Sequence, residues 1–282
     1  MLNARSILVG DGVGIWDVTC RHGRGRGRAD EHAGGHAVVF VRRGCFVRSA
    51  NGVESVLDPT VAYCMNPGEE QRYDHPHAHG DECTSIALEP GLAAALLGGD
   101  PVLPRGPIAI APRLDLEHRL VLSAARRGEH PDGVAERALG LAADALAAAD
   151  PRRVASGRPA TALARRALVD GAREALAERP DRSLTELARL LAVSPHHLSR
   201  IFRAATGHTI ARHRMRLRAR MAMDRLAGGG AHAAAGSGSG ELARLAAELG
   251  FADQAHLTRV VRDEIGATPS ALRAALATGP RP

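Results

Sequence analysis

The sequence contains no lysine, so all 37 of its basic residues are arginine. Aromatic residues are also scarce: they make up 2% of the 282 residues although 45% are hydrophobic, so the core must consist mainly of leucine, alanine and valine. No apolar run approaches the length that crosses a membrane, and no secretory signal opens the chain. These absences favour a globular protein, for which this length predicts one or two domains with a sizeable core.

Cysteine is limited to four residues, Cys20, Cys45, Cys64 and Cys83. Without an export signal we expect the protein in the cytoplasm, where thiols are kept reduced. We therefore expect the cysteines to be free thiols, metal ligands or redox-active groups rather than structural disulfides.

The net charge of +6 is unevenly divided along the chain. Residues 160–282 contain 19 arginines and 11 acidic residues, whereas residues 1–159 contain 18 arginines and 20 acidic residues. A basic region suits the phosphates of nucleic acid, although arginine-rich helices are also often plain solvated surfaces. The repeat that lies in this region favours the first interpretation.

Two similar segments occur in the basic region. Four apolar residues of the first copy recur in the second copy, each at the same distance along the chain. They are Leu184, Leu187, Ala188 and Leu191 in the first copy and Leu242, Leu245, Ala246 and Leu249 in the second. After the turn the spacing is one residue longer, and Leu198, Ser199, Arg200, Arg203 and Gly207 match Leu257, Thr258, Arg259, Arg262 and Gly266. Each copy therefore predicts a short helix, a turn and an amphipathic helix that ends at a glycine.

The outer face of each second helix carries side chains that suit the DNA major groove, because glutamine can address adenine and arginine can address guanine or phosphate. The candidate DNA-binding residues are His196, His197, Ser199, Arg200 and Arg203 in the first copy and Gln254, His256, Thr258, Arg259 and Arg262 in the second. We assign Arg203 and Arg262 to phosphates. His256 is expected to lie in the longer turn, so a structural role is open for it as well.

These segments resemble the double helix-turn-helix region of the AraC/XylS family of bacterial transcription regulators. The resemblance is carried by LARLLAVSPHHLSRIFRAATGHT in the first copy and LARLAAELGFADQAHLTRVVRDEIGATPSALR in the second. Its most recognisable parts are the Gly-Phe, the Asp-Gln, the His-hydrophobic-Thr-Arg and the Gly-x-Thr-Pro. The resemblance is much looser in the N-terminal half, where it implies a cupin-like sensor barrel.

The residues of the N-terminal half predict β structure independently. Short apolar segments separated by turn signals predict strands within 7–20 and at 36–41, 45–48, 54–57, 61–65 and 84–88. Many short strands at this spacing favour a small barrel or sandwich. The glycine- and arginine-rich segment 22–35 is expected to be a flexible loop.

Helical patterns follow at 91–97, 114–127 and 133–149. The resemblance implies that such helices form a dimerisation surface, but core packing explains them equally well. We predict an α+β protein with a sensor and dimerisation domain at 1–150, β-rich at 1–90 and helical at 91–150. A linker at 151–160 and an all-α DNA-binding domain at 161–282 with two helix-turn-helix motifs complete the prediction.

A long helix over 210–226 is expected to join the two motifs. It carries five arginines, some of which we expect to reach phosphates: Arg212, Arg214, Arg216, Arg218 and Arg220. The segment 227–240 that follows is rich in glycine and serine and therefore flexible. It is a departure from the family, in which this joint is shorter, and it bears on how rigidly the two motifs are held.

A cluster of histidine and cysteine stands out in the N-terminal half. His75, His77 and His79 alternate along the chain and would share one face if the segment were extended, and Cys83 follows. Imidazole and thiolate are ligands of Zn²⁺, copper and nickel. The alternative is a loop at the barrel rim with buried free cysteines.

A resemblance to actinobacterial-type members of the family around HP…GD.C favours Cys20, His75 and Cys83 as ligands over His77, His79, Cys45 and Cys64. Zn²⁺ is the cofactor that this set predicts.

The prediction is a sequence-specific transcription regulator, with activation as the family's habit, controlled by a small-molecule or metal effector at the N-terminal domain. Its partners would be double-stranded promoter DNA, RNA polymerase and a second copy in a homodimer, with no membrane involved. No catalytic residues are assigned, because Asp81 and Glu82 lack a recognisable partner, and we do not expect an enzyme. Two alternatives remain: a cupin-type metalloenzyme fused to a DNA-binding domain, and a DNA-binding protein without a ligand.

Overall fold

The computed structural model describes residues 2–10, 12–21, 25–26, 31–77, 80–149, 159–228 and 239–277. Residues 151–158 of the predicted linker 151–160, most of the glycine- and serine-rich joint at 227–240, and His79 therefore lie outside the described residues. No described helix is long and apolar enough to cross a membrane.

The N-terminal half is built from two antiparallel sheets. The strands are β1 Leu2–Val9, β2 Val13–Cys20, β3 Gly25–Arg26, β4 Glu31–His32, β5 His36–Arg43, β6 Phe46–Ala50, β7 Val53–Leu57, β8 Val61–Met65, β9 Glu70–His75, β10 Asp81–Leu88 and β11 Ile108–Ala109. One sheet has the order β1-β2-β10-β5-β8-β11, and the other has the order β3-β9-β6-β7 with β4 paired to β9. The predicted β-rich N-terminal region is thus confirmed.

The larger sheet is buried on both faces. Towards the smaller sheet it contributes Val39, Val41 and Tyr63, which pack with Phe46 and Leu57. Towards the helices it contributes the alternate residues of the same strands, such as Val38, Phe40 and Ala62. Burial on both faces explains why β5 is an almost continuous apolar run instead of an alternating one.

Ten helices are described. They are α1 Pro90–Leu97, α2 Pro112–Arg126, α3 Pro131–Ala147, α4 Pro159–Glu178, α5 Leu184–Leu190, α6 Pro195–Thr206, α7 Ile210–Gly228, α8 Ser239–Glu248, α9 Gln254–Ile265 and α10 Pro269–Ala277. The apolar stripes of α2 and α3, including Leu114, Val121 and Leu141, complete the core below the larger sheet. The predicted helices and the α+β class are confirmed.

The C-terminal helices form two small cores, one for each helix-turn-helix motif. The first packs α4, α5 and α6 around Leu187, Leu198 and Phe202. The second packs α8, α9 and α10 around Leu257 and Val261. Helix α7 contributes to both cores, so it joins the motifs as predicted. It also contacts α9 and α10 directly, so this packing holds the second motif against α7.

Two local predictions in the N-terminal half are wrong. The segment 22–35 is not only a flexible loop, because β3 and β4 pair with β9. Strand β9 itself was not predicted, since its sequence EQRYDH has no apolar alternation. The chain also leaves the strand after His75, so His75 and His77 do not share one face of an extended segment.

Candidate functional site

The ends of α6 and α9, the second helix of each motif, determine where the outer residues of that motif lie. Helix α6 begins after Ser194 and α9 begins after Asp253, and each of these side chains accepts a backbone N–H of the first helical turn. Both helices end at a glycine in the left-handed region, Gly207 at φ 78° and Gly266 at φ 85°. The caps therefore give α6 and α9 the same length and equivalent outer faces.

The turns that precede these helices differ. In the first motif Ala192 takes a positive φ of 54°, which is unusual for a residue with a Cβ. In the second motif Gly250 takes φ 72°, and a Cβ there would lie 3.2 Å from the guanidinium of Arg218. Arg218 Nη1 donates to the carbonyl oxygen of Gly250 at 2.8 Å. Glycine is thus favoured at 250 by both backbone conformation and close approach.

All ten predicted DNA-binding residues lie on α6 or α9. Five of them are exposed: His196, Arg200, Arg203, Arg259 and Arg262. The other five are half-buried: His197, Ser199, Gln254, His256 and Thr258. The structure therefore places the predicted phosphate- and guanine-binding side chains at the solvent-exposed faces of the two helices.

The four arginines of α6 and α9 share a further property. Within the described part of the chain, the guanidinium groups of Arg200, Arg203, Arg259 and Arg262 form no ion pair. Their positive charges are therefore not neutralised internally and are free to meet phosphate oxygens or base edges.

Two half-buried members of the set bond within their own motif. The ring of His256 accepts the backbone N–H of Ala252 at 3.3 Å through Nδ1 and packs edge-on against Phe251, with 5.4 Å between ring centroids. Thr258 Oγ1 donates to the carbonyl of Gln254 at 2.9 Å. The contacts of His256 brace the longer turn, which is the structural role that the sequence left open for it.

The arginines of α7 are not a DNA-facing row. Arg218 is 6% exposed and Arg220 is 1% exposed, which excludes the expectation that these two reach phosphates in this arrangement. Arg220 Nη2 donates to the carbonyl of Ile110 at 2.6 Å. Arg212 pairs with Glu264 on α9 at 2.9 Å. Positive charge on α7 therefore serves mainly to bind neighbouring parts of the same chain.

One buried carboxylate attaches the first motif to the barrel, which is formed by the two packed sheets of the N-terminal half. Asp58 follows β7, and its Oδ2 accepts from Arg173 Nε of α4 at 2.9 Å, while its Oδ1 accepts from the hydroxyl of Thr60 at 2.6 Å. His213 Nε2 of α7 lies 3.8 Å from the same carboxylate. Burial opposes ionisation, but Arg173, His213 and Thr60 outweigh it and lower the pKa of Asp58 to about 2.

A second buried carboxylate attaches α7 to α2. Asp115 lies 3.4 Å from Arg119 Nε and 3.3 Å from Arg220 Nε, and Arg119 Nη1 donates to Asp224 at 3.1 Å. Burial raises the pKa of Asp115, but the neighbouring Arg119, His118 and Arg220 outweigh it and hold that pKa well below its usual range. The two carboxylates are thus ionised partners of arginines that come from the C-terminal helices.

The structure brings two of the predicted metal ligands, Cys20 and His75, together with Asp81. The ligand atoms of Cys20, His75 and Asp81 all lie within 4.8 Å of one another, and the three residues are 5%, 5% and 7% exposed. His75 Nε2 and Asp81 Oδ2 are 2.7 Å apart. Cys83 lies beside this group, with its Sγ 3.8 Å from Asp81 Oδ1. Asp81, which sequence reasoning left without a partner, takes the place predicted for Cys83.

The remaining candidates lie elsewhere. Cys64 belongs to the core beneath the larger sheet, and burial raises the pKa of its thiol to about 12. Cys45 is buried, and its pKa is raised by burial and by the charge of Asp58. The imidazole of His77 faces Glu178 at the end of α4, with Nδ1 3.8 Å from Oε1. These residues do not join the cluster around Asp81.

The space between the sheets holds a polar group of its own. Arg48 Nη2 binds Glu69 at 2.7 Å, Arg48 Nε donates to Gln71 at 3.0 Å, and the guanidinium lies 4.9 Å from the centre of the Tyr63 ring. Tyr73 donates to the same Gln71 oxygen at 2.9 Å. The sequence did not single out these residues, because their partners come from separate strands.

One family model and several solved structures are similar to parts of this chain. Residues 187–275 match a family model described as a helix-turn-helix domain. Among solved structures, ToxT from Vibrio cholerae O395 matches with 8% identity over 95% of this chain and 100% of that chain, at a TM-score of 0.36. A cupin superfamily protein from Desulfitobacterium hafniense DCB-2 matches with 14% identity over 31% of this chain and 77% of that chain, at a TM-score of 0.26.

An RmlC-like cupin from Shewanella frigidimarina NCIMB 400 matches with 15% identity over 31% of this chain and 75% of that chain, at a TM-score of 0.27. The comparison with curated protein sequences gives no match. The family match covers both motifs, and their capped, equivalent helices have the arrangement that the resemblance predicts. The C-terminal part of this chain is an AraC-type helix-turn-helix domain.

Proposed function

We propose that this protein is a sequence-specific transcription regulator that binds promoter DNA through α6 and α9. The observation that carries the proposal is the pair of equivalent helices, each of which exposes two arginines that have no ion-pair partner among the described residues. Arg200 and Arg259 occupy equivalent positions and would read base edges, whereas Arg203 and Arg262 would bind phosphates. Because DNA is polyanionic, the uncompensated charge favours it over a neutral or basic partner.

The N-terminal half would control this activity through the two buried carboxylates. Asp58 holds Arg173 of α4, and Asp115 holds Arg220 of α7, so the positions of both motifs depend on contacts with the N-terminal half. An effector that binds more tightly to one arrangement of these contacts would shift the population towards it. DNA affinity would then change even though the effector does not touch DNA.

Activation together with RNA polymerase, and a cytoplasmic location, are parts of the proposal that rest on the family resemblance. A homodimer rests on the same ground. The apolar stripes of α2 and α3 are used within one chain: Val121 and Leu141 lie in the barrel-side core, and Leu116 and Leu120 pack against the second motif. Core packing therefore accounts for these stripes, as the sequence allowed.

We propose no enzymatic activity. In support, the space between the sheets is occupied by the Arg48, Glu69, Gln71 and Tyr73 side chains, which bond to each other. The Cys20, His75 and Asp81 group is also buried at 5–7% exposure, whereas a metalloenzyme needs an open coordination position facing a substrate cavity.

The test of DNA binding uses duplexes selected by the wild-type protein from a random pool, followed by anisotropy titration at one salt concentration. The double variant Arg200→Ala/Arg259→Ala should lose at least about 30-fold in affinity, because each base contact contributes about 1–3 kcal/mol.

The matched control is Arg225→Ala/Arg244→Ala. It removes the same charge from two exposed arginines that both pair with Glu248, so its affinity should stay within about threefold of wild type. If the two double variants bind equally well, α6 and α9 do not read DNA bases and the proposal is wrong.

A further inference from the structure

The group formed by Cys20, His75 and Asp81 has the composition of a metal site. It offers one thiol, one imidazole and one carboxylate, and all of these are ligands of Zn²⁺. We propose that these three residues bind one Zn²⁺ ion and that this ion regulates the attachment of the first motif. The second half of the proposal rests on the proposed DNA-binding function, whereas the metal site itself does not.

The distances fit a tetrahedral ion after a small adjustment. Ligands at about 2.0–2.3 Å from Zn²⁺ are separated from each other by about 3.4–3.7 Å in a tetrahedron. The ligand atoms here are all within 4.8 Å of one another, and His75 Nε2 and Asp81 Oδ2 are 2.7 Å apart. Inserting the ion therefore requires these two atoms to move apart by about 0.7 Å, which side-chain rotation supplies.

Strand pairing builds this group from both sheets. Asp81 of β10 is directly opposite Cys20 of β2 in the larger sheet, whereas His75 ends β9 in the smaller sheet. Gly80 allows the chain to return across the end of β2, because at φ 67° a Cβ there would lie 2.2 Å from the carbonyl oxygen of Cys20. A metal held by these residues would bridge the two sheets at the rim of the barrel.

The ligand set differs from the one that the sequence predicts. Asp81 and Cys83 lie on the same face of β10, but only Asp81 has a ligand atom within reach of both Cys20 and His75. Cys83 is packed among apolar residues of the inter-sheet core. The geometry therefore assigns Asp81 as the third ligand.

The site lies close to the DNA-binding half. His77 is two residues beyond the ligand His75, and its Nδ1 is 3.8 Å from Glu178 Oε1 at the end of α4. Glu178 also binds Arg182 at 2.7 Å, in the segment that leads to α5. Movement of His75 towards a metal would shift His77 and so change the contact with α4.

The first experiment measures zinc in untagged protein that has been reconstituted with Zn²⁺ and dialysed against metal-free buffer without chelator. Wild type should retain about one zinc per chain, and Cys20→Ala and Asp81→Asn should each retain at least about tenfold less. The matched controls are Cys64→Ala and Cys83→Ala, which remove a buried thiol without touching the three ligands and should retain zinc.

The zinc content of the Asp81→Asn and Cys83→Ala variants tests whether Asp81 or Cys83 is the third ligand. Zinc that is lost in Cys83→Ala but kept in Asp81→Asn would overturn the assignment in favour of the sequence-predicted set. Because a variant can lose zinc by misfolding, wild-type protein is also titrated with Co²⁺. A thiolate-to-cobalt charge-transfer band supports the site, and its absence overturns it.

The regulatory half is tested by anisotropy with the selected duplexes, with and without Zn²⁺. Wild-type affinity should change at least about threefold with zinc, whereas His77→Ala should still bind zinc but lose this response. If DNA affinity is the same with and without bound zinc, the regulatory role is wrong and the site is structural. If the protein binds DNA but retains no zinc, the metal site is wrong and the DNA-binding function is unaffected. If it retains zinc but does not bind DNA, the proposed DNA-binding function is wrong and the metal site is unaffected.

Discussion

The two helix-turn-helix motifs follow one sequence pattern but are attached to the rest of the protein by different contacts. The first motif is held through α4, whose Arg173 binds Asp58 next to the barrel. The second motif packs on α2, where Leu116 and Leu120 join its core and Ser123 Oγ donates to the carbonyl of Leu276 at 2.9 Å. Equivalent local sequence has therefore produced two reading helices with separate anchors.

This difference indicates which contacts would transmit an effector signal to each motif. A change at the barrel rim reaches the first motif through Asp58 or through Glu178, whereas a change in α2 reaches the second motif through Asp115. Helix α7 contributes to the cores of both motifs, so it couples them.

The largest effect is expected from removing the buried carboxylates. Asp58→Ala removes the carboxylate at 2.9 Å from the buried Arg173 and leaves it only Asp170 at 4.0 Å, and Asp115→Ala removes the carboxylate beside the buried Arg220. Each should lower the free energy of unfolding by about 3–5 kcal/mol in urea denaturation, because an uncompensated buried charge is costly. Hydrogen exchange should rise more in α4–α6 for Asp58→Ala and more in α7–α10 for Asp115→Ala.

The control for this pair is Asp263→Ala, which removes an exposed carboxylate of α9 and should change stability by no more than about 0.5 kcal/mol. If both buried variants raise exchange equally across all helices, the two anchors are a single cooperative unit.

Acid should weaken both anchors. Burial lowers the pKa of His213, beside Asp58, to about 3, and burial likewise lowers the pKa of His118, beside Asp115, to about 4. Histidine in the unfolded chain titrates near pH 6.5, so the folded protein keeps these rings neutral while the unfolded chain takes up protons. The stability they contribute is complete above about pH 6.5 and is lost as the pH falls towards the folded values, by about 1.4 kcal/mol per pH unit for each ring.

Urea denaturation between pH 7.5 and 5 measures this slope, and that range lies above the titration of most carboxylates. His213→Gln should make the slope shallower because the ring of His213 no longer contributes to it. A stability that does not change over this range would contradict the burial of both neutral rings.

The smallest effects are expected at the two turns, where the motifs should respond with opposite signs. Gly250→Ala places a Cβ at φ 72° against Arg218 and should cost about 1–2 kcal/mol. Ala192→Gly relieves the same backbone strain at φ 54°, so stability should be unchanged or higher by up to about 1 kcal/mol. Denaturation midpoints measure both, and a shift of the same sign in both would show that the turns are equivalent after all.

Local patterns predicted the motifs well. The caps at Ser194 and Asp253 and the glycines that end α6 and α9 were recognisable because helix ends depend on the chemistry of a few adjacent residues. Strand β9 was missed, because its polar sequence becomes a strand only through pairing with β3, β4 and β6. The candidate metal group was predicted in part: Cys20 and His75 lie in it, but Asp81 was recognised only from its position opposite Cys20.

The sequence by itself determined the duplicated motif, its helix ends and the residues of its outer faces, because these follow from periodicity and capping over short distances. Only the tertiary structure decided which arginines remain available for DNA. Arg220 and Arg259 are the same residue type in the same basic region, yet one is buried against Asp115 and Ile110 while the other is exposed and forms no ion pair among the described residues. The physical reason is that a charge is neutralised by whatever carboxylate or carbonyl the fold brings to it, and those partners come from residues more than a hundred positions away.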